Sequence, residues 1–298
     1  MSQRARLVAE WPTLGVVLLC YLVWAIGTTW LAGLWLPLGI AVTALGIALF
    51  SSLQHEIIHD HPFANRTLNA ALVFPGLSVL IPFLRFRDTH LDHHRNADLT
   101  DPYDDPESNY LDPAVWRRLP RPVRGLLLFN NTLLGRLTVG VAVSQVAFMV
   151  SDWRAMRGGD DRVRRGWLWH VPALALVVVW FATLGQMPFW AYLLAAYGGL
   201  SIVKIRTFLE HQAHARVSGR TAIIEDRGPL AFLFLNNNLH AVHHMHPRVP
   251  WYRLPRLYFA NRDRYLARNG GYVFRSYAQV FRGHFLRRKD PVPHPFWR

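Results

Sequence analysis

Residues 11–55 read WPTLGVVLLCYLVWAIGTTWLAGLWLPLGIAVTALGIALFSSLQH, and none of these 45 positions is charged. A membrane-spanning helix needs about 20 apolar residues, so this run holds two spans and a short turn. They are placed near residues 14–31 and 36–53, with Gly33 and Pro37 around the turn. A second charge-free run, residues 166–203, is 38 positions long. It places two further spans near 167–184 and 190–205, broken by Gly185-Gln186-Met187-Pro188. A buried hairpin of a soluble protein is the competing explanation. Against it, a charge at the centre of a span costs about 2.5–3.5 kcal/mol, and these runs contain none.

The rest of the composition agrees. Of 298 residues, 51% are hydrophobic and only 17% are charged, below the roughly 25% usual in soluble domains. That hydrophobicity excludes a disordered chain. The single cysteine, Cys20, excludes an intramolecular disulfide framework and a cysteine-cluster metal site. A cleaved secretory leader is not expected, because the first apolar stretch is too long and no small-residue cleavage site follows it. All 33 Lys and Arg residues lie outside the two charge-free runs. If each run is a hairpin that enters and returns on one side, the positive-inside rule makes that side cytoplasmic. The net charge of +14 then reads as a face held against anionic lipid, with room for an acidic protein partner and no need of nucleic acid.

Two weaker apolar stretches remain. Residues 68–84 carry Pro75, Gly76 and Pro82 and read as a re-entrant or interfacial segment. Residues 126–150 are amphipathic and contain Arg136. They read as an interfacial helix, since a fifth span would put the later histidines outside. No internal repeat is visible. The expected fold is an all-α integral membrane protein, one domain over residues 1–298. Four transmembrane helices form two hairpins, and residues 55–165 and 206–298 form a cytoplasmic helical cap with interfacial helices.

Fifteen histidines are unevenly placed. The sequence His55-Glu-Ile-Ile-His59 follows the second span, and its two histidines share a helical face. His90-Leu-Asp-His93-His94 and His240-Ala-Val-His243-His244 repeat one spacing, i, i+3, i+4. Leu209-Glu210-His211 closes the fourth span. One such pair alone is ordinarily a surface feature. Three clusters beside membrane spans point to metal, because imidazole is the commonest ligand near neutral pH. Eight clustered histidines, with His211 as a ninth, exceed what one ion takes, which implies two ions. A closed structural zinc site does not fit, while iron, copper, zinc and nickel all accept nitrogen ligands. Glu56 and Glu210 adjoin candidate ligands and are expected to hydrogen-bond a distal ring nitrogen.

These three clusters resemble the histidine boxes of the membrane fatty acid desaturase superfamily, which also holds alkane hydroxylases and carotenoid hydroxylases and ketolases. Phe208-Leu-Glu-His211 is similar to the extra histidine motif of alkane hydroxylases. The acidic segment 101–108 resembles one that follows the second box in bacterial members. Residues 236–255, beginning at Asn236 and including Pro250-Trp251-Tyr252, look like the third-box region of bacterial desaturases. The resemblance covers roughly residues 35–260. It implies a di-iron centre that activates O2 and cleaves an unactivated C–H bond. The ligands it implies are His55, His59, His90, His93, His94, His211, His240, His243 and His244, with Glu56, Glu210, Thr207 and Asn236 beside them. Thr207 stands where several relatives place an Asn that holds a water near one iron.

The expected reaction is desaturation of an acyl chain or similar lipid-like substrate, with hydroxylation or ketolation as the nearest alternative. A His-rich metal transporter is the remote one, because transport sites lie near mid-membrane. No haem, flavin or reductase motif appears, so electrons are expected from a separate ferredoxin, rubredoxin or cytochrome-type donor. Arg117, Arg118, Arg121 and Arg124 could steer it. The expected location is a bacterial cytoplasmic membrane, with both termini and the site on the cytoplasmic side. Six histidines stay outside the ligand set. His61 and His214 are near it, His246 and His170 read as packing residues, and His284 and His294 read as solvated. Arg85-Phe86-Arg87 reads as an interfacial anchor, or else as a grip on an anionic headgroup.

Overall fold

The computed structural model describes residues 9–95 and 99–297, and it is mostly helical. Helix α1 (Trp11–Leu34) passes through one π-helical turn, Gly27–Leu31. Trp35 breaks it with an extended backbone, φ −158° and ψ 104°. Pro37, in the first turn of α2 (Leu36–Ile58), needs no amide donor there. The turn therefore sits between the two residues expected to flank it. A short helix, Arg66–Leu72, and α3 (Phe83–Arg95) follow, then α4 (Gly140–Arg157), α5 (Asp161–Thr183) and α6 (Phe189–Thr207). Helix α7 (His240–Met245) lies in the last third.

Three helices, α1, α2 and α5, are long and apolar enough to cross a membrane. The fourth expected span is helical as α6 but is not among them. Its last turn carries Lys204 and Arg206, which lower its hydropathy. Helix α2 is the central element, packed on α1 and α6. A side chain at Gly39 would meet Ala32 Cα at 2.7 Å, so the α1–α2 hairpin closes backbone to backbone. The core joins Cys20, Trp24, Ile47, Phe50 and Leu53 with Tyr192 of α6. Tyr192 accepts from Trp24 Nε1 (3.1 Å) and donates to Leu77 O (2.6 Å). Of the tryptophans near the helix ends, Trp11, Trp30 and Trp190 are exposed, as interfacial anchors are, whereas Trp167 donates to Asp152.

The weaker apolar stretches are resolved differently. After Leu72, residues 73–82 form no regular helix, yet their backbone is paired. Gly76 N donates to Ala173 O (3.1 Å) and His170 Nε2 meets Val79 O (2.8 Å), while Tyr21 donates to Leu72 O (2.7 Å) just before the stretch. Irregular backbone beside spans needs such partners. The single helix expected over 126–150 is three: Arg121–Asn130, Leu133–Thr138 and α4. The break falls where the Thr132 hydroxyl caps Gly135 N at 3.0 Å. Helix α4 leaves Val146, Met149, Val150 and Trp153 exposed at i, i+3, i+4, i+7, one apolar face. The all-α expectation also missed a short parallel ladder, β1 (Ile223–Ile224) with β2 (Val273–Phe274).

Candidate metal centre

His55 sits in the last turn of α2 and His59 caps its end; α3 supplies His90, His93 and His94. His211 follows α6, and α7 supplies His240, His243 and His244. Four separate segments thus bring together all nine expected residues. They form two adjacent groups, His55, His59, His90, His94 and His243, and His93, His211, His240 and His244. Within each, one ring nitrogen or its equivalent per residue lies within 4.8 Å of the others.

Helical spacing explains the division. In an i, i+3, i+4 box the first and last rings are 40° apart in projection, by the roughly 100° per residue of an α-helix. The middle ring turns to the other side of the first. His90 and His94 accordingly enter one group and His93 the other; His240 and His244 enter the second and His243 the first. The two boxes split in opposite senses, so each group draws on both. Rings of His94 and His244 stack across the boundary, centroids 4.2 Å apart at 10°.

The nitrogen contacts fit bound metal. His59 and His90 approach Nε2 to Nε2 at 3.1 Å, as do His93 with His211 and His211 with His240. His240 with His244 gives 3.1 Å and His94 with His243 gives 3.2 Å. Metal–nitrogen bonds of about 2.0–2.1 Å put neighbouring ligands on one ion about 3 Å apart. Several far nitrogens are held by partners that fix the ring. His93 Nδ1 lies 2.8 Å from Asp105, His90 Nδ1 lies 2.9 Å from Glu107, and His240 Nδ1 lies 3.0 Å from Asn237 Oδ1. Asn237 Nδ2 also lies 3.2 Å from His55 Nε2, so one amide touches a ring of each group.

The protonation states suit the same role. Burial, reinforced by neighbouring imidazoles, holds His59, His94, His211, His240, His243 and His244 below the usual imidazole value. These rings are neutral near pH 7, the form that ligates. Burial also lowers His90, against the pull of Glu107. His93 departs from this pattern. Burial opposes its charge, but Glu107 and Asp105 lift it to about 9. Glu107 is partly buried and loses solvation, yet His93 and His90 hold its carboxyl well below the usual range.

The expected neighbours of the rings are partly rearranged. Glu56 accepts from Trp251 N (2.9 Å) and faces His61 at 3.9 Å, where a ligating ring was expected. Glu210 lies 2.8 Å from Arg206 and 3.5 Å from His240 Nδ1. Asn236 donates to Trp251 O (3.1 Å), and its neighbour Asn237 makes the ring contacts. Thr207 Oγ1 is buried with no partner among the described residues. His61 lies outside both groups, 2.8 Å from Glu10. His214 bonds the backbone of Arg216, and His170 packs as expected. His294, expected in solvent, is buried beside Thr100. Arg85 grips Asp152 through two 2.9 Å bonds, so it is no free headgroup ligand. Sequence reasoning singled out the acidic segment 101–108 without its pairings, and it missed Asn237. The available signal was the run Asn236-Asn237-Asn238 just before the third box.

Apolar helices long enough to cross a membrane, joined to two largely buried histidine groups that fit metal, define a membrane protein with a candidate metal centre. The chain belongs to the fatty acid desaturase family, whose sequence pattern matches residues 28–276. Members of this family are oxidoreductases. Comparison with curated proteins gives no match.

Proposed function

We propose that the chain is an O2-dependent desaturase that places a double bond in an acyl chain or similar lipid-like substrate. The observation that carries this reading is the division of nine histidines, six of them buried and three partly buried, into two touching groups. His55, His59, His90, His94 and His243 would hold one iron, and His93, His211, His240 and His244 the other. When bound, the two irons supply the oxidant that an unactivated C–H bond requires. Asp105, Glu107 and Asn237 orient rings and fix which nitrogen carries a proton. The two carboxylates offset charge that neutral imidazoles leave uncompensated.

In this reading α6 completes four spans in two hairpins, and the whole chain works as one domain. The centre and both termini face the cytoplasm of a bacterial cell, and a separate ferredoxin, rubredoxin or cytochrome-type protein delivers electrons. Hydroxylation is the second reading. It is favoured by the Glu210-His211 motif, whose histidine joins the second group. The two readings differ in whether the substrate loses a second hydrogen or gains oxygen. The metal-transporter reading is not carried further, since both groups lie at helix ends and not on broken helices at mid-membrane.

Expression in a lipid-rich host, with mass spectrometry of total lipids, tests the proposal. Loss of two hydrogens with a mapped double bond is the expected result, and gain of one oxygen supports the hydroxylase. His93→Ala is expected to abolish either product and to lower bound iron. Activity that survives this change overturns the ligand assignment.

A further inference from the structure

Helix α2, the short helix Arg66–Leu72, α3 and the start of α5 enclose a cleft of about 330 Å³. Its floor is apolar, formed by Ile57, Ile58, Phe83 and Leu91. Its rim carries Asp60, Arg66, Arg87, Asp88, Asp92 and Arg162. On α3, Asp88 and Asp92 are turned away from the His90–His94 edge, Arg87 and Leu91 border it, and none of the nine ring ligands lines the cleft. The cleft is therefore distinct from the metal centre, although Ile58 and Leu91 directly precede and follow its ligands His59 and His90.

Three guanidinium groups and three carboxylates make the rim electrically balanced. Arg66 pairs with Asp60 (2.7 Å), Arg87 with Asp88 (2.8 Å), and Arg162 with Asp92 (3.4 Å). The Arg66 and Arg162 side chains are 78% and 53% exposed, and exposed pairs contribute little to stability. Exchanging them for contacts to a ligand costs little. A simple anion in the cleft would meet three carboxylates, and a simple cation three guanidiniums. A ligand that carries a phosphate and an ammonium group satisfies both sets, with arginine suited to the phosphate. Methylenes next to such a headgroup would cover the floor. The location agrees, because α2 ends at Ile58 and α5 begins at Asp161, where two apolar helices meet the membrane surface.

We propose that this cleft seats the zwitterionic headgroup of a membrane phospholipid. The inference rests on the reading of the chain as a lipid-modifying membrane enzyme. It is tested on the metal-loaded full chain in nanodiscs containing phosphatidylethanolamine, phosphatidylcholine and phosphatidylglycerol, with retained lipid identified by native mass spectrometry. One zwitterionic lipid is expected to be kept over phosphatidylglycerol. Arg87→Ala with Arg162→Ala should cut retention about tenfold or more, since hydrogen bonds to charged groups are worth about 1.5–3 kcal/mol each. Arg66→Ala, at the most exposed rim position, provides a second, milder loss. Both variants should keep wild-type iron, which reports that they fold. Equal retention of phosphatidylglycerol, displacement by inorganic phosphate, or undiminished lipid in the double variant overturns the headgroup site. Absence of iron from the wild type would instead count against the di-iron reading.

Discussion

Asn237 shows how much of the centre rests on one uncharged side chain. Its amide touches His55 and His240, one ring from each group. Asn237→Ala leaves two buried ring nitrogens without these partners, and each lost partner costs about 1–3 kcal/mol. Removing such a supporting contact typically lowers metal affinity about 10–100-fold. Iron retained during a chelator titration should fall by that factor, while secondary structure persists. An unchanged titration would remove Asn237 from its positioning role. Asp152 makes a contrasting case. It is buried, receives two bonds from Arg85 and one from Trp167 (2.8 Å), and so ties α3 to α4 and α5. Asp152→Ala leaves the Arg85 charge only Asp88, at 4.0 Å, and breaking a buried pair costs about 3–5 kcal/mol. A detergent melting curve should show a large drop in Tm; a wild-type midpoint would mean that Arg85 finds another partner or water. Eight of the histidines were legible because each box has a helical spacing, and His211 through the motif Phe208-Leu-Glu-His211. Their supports were less legible. Asp105 lies 12 residues from His93, and Asn237 lies 182 from His55, so only tertiary packing reveals either contact.

At the level of elements, absence of charge exposed the helices and could not fix their ends. Helix α2 runs five residues beyond its expected end at 53, to Ile58, because the first histidine box continues the same hydrogen-bond ladder. The stretch 126–150 was misread as one helix because hydropathy does not register the Thr132 cap. Crossing geometry is where glycine matters. At Gly199 of α6, an added Cβ would stand 2.7 Å from Ala44 O and 2.8 Å from Ile47 Cβ, both on α2. These helices carry His55 at the end of one and lead to His211 after the other. Gly199→Leu must push them apart, and overpacking of this kind costs about 1–3 kcal/mol or more. Lower Tm and lower iron content are expected together. Gly198→Ala meets only Ala44 Cβ at 3.5 Å and should preserve both. If Gly199→Leu matched that control, the α2–α6 contact would not be positioning the centre.

Across the whole molecule, charge is segregated as strongly as hydropathy. The net charge of +14 comes from residues outside the two charge-free runs. Arg117, Arg118 and Arg121 are exposed, at the end of one cap helix and the start of the next. A positive surface of this kind raises the encounter rate with an acidic partner, and salt weakens the effect over a Debye length of about 10 Å at 0.1 M. Electron delivery in the proposed reaction is such an encounter. At limiting protein donor, turnover should fall several-fold as sodium chloride rises from about 50 to about 300 mM, because steered association depends steeply on ionic strength. With a small uncharged reductant the rate should stay flat, which separates docking from any effect of salt on the centre. Arg117→Glu with Arg121→Glu should raise the KM for the donor and leave the small-reductant rate unchanged. Parallel salt curves for the two electron sources would show that these arginines serve the lipid surface alone.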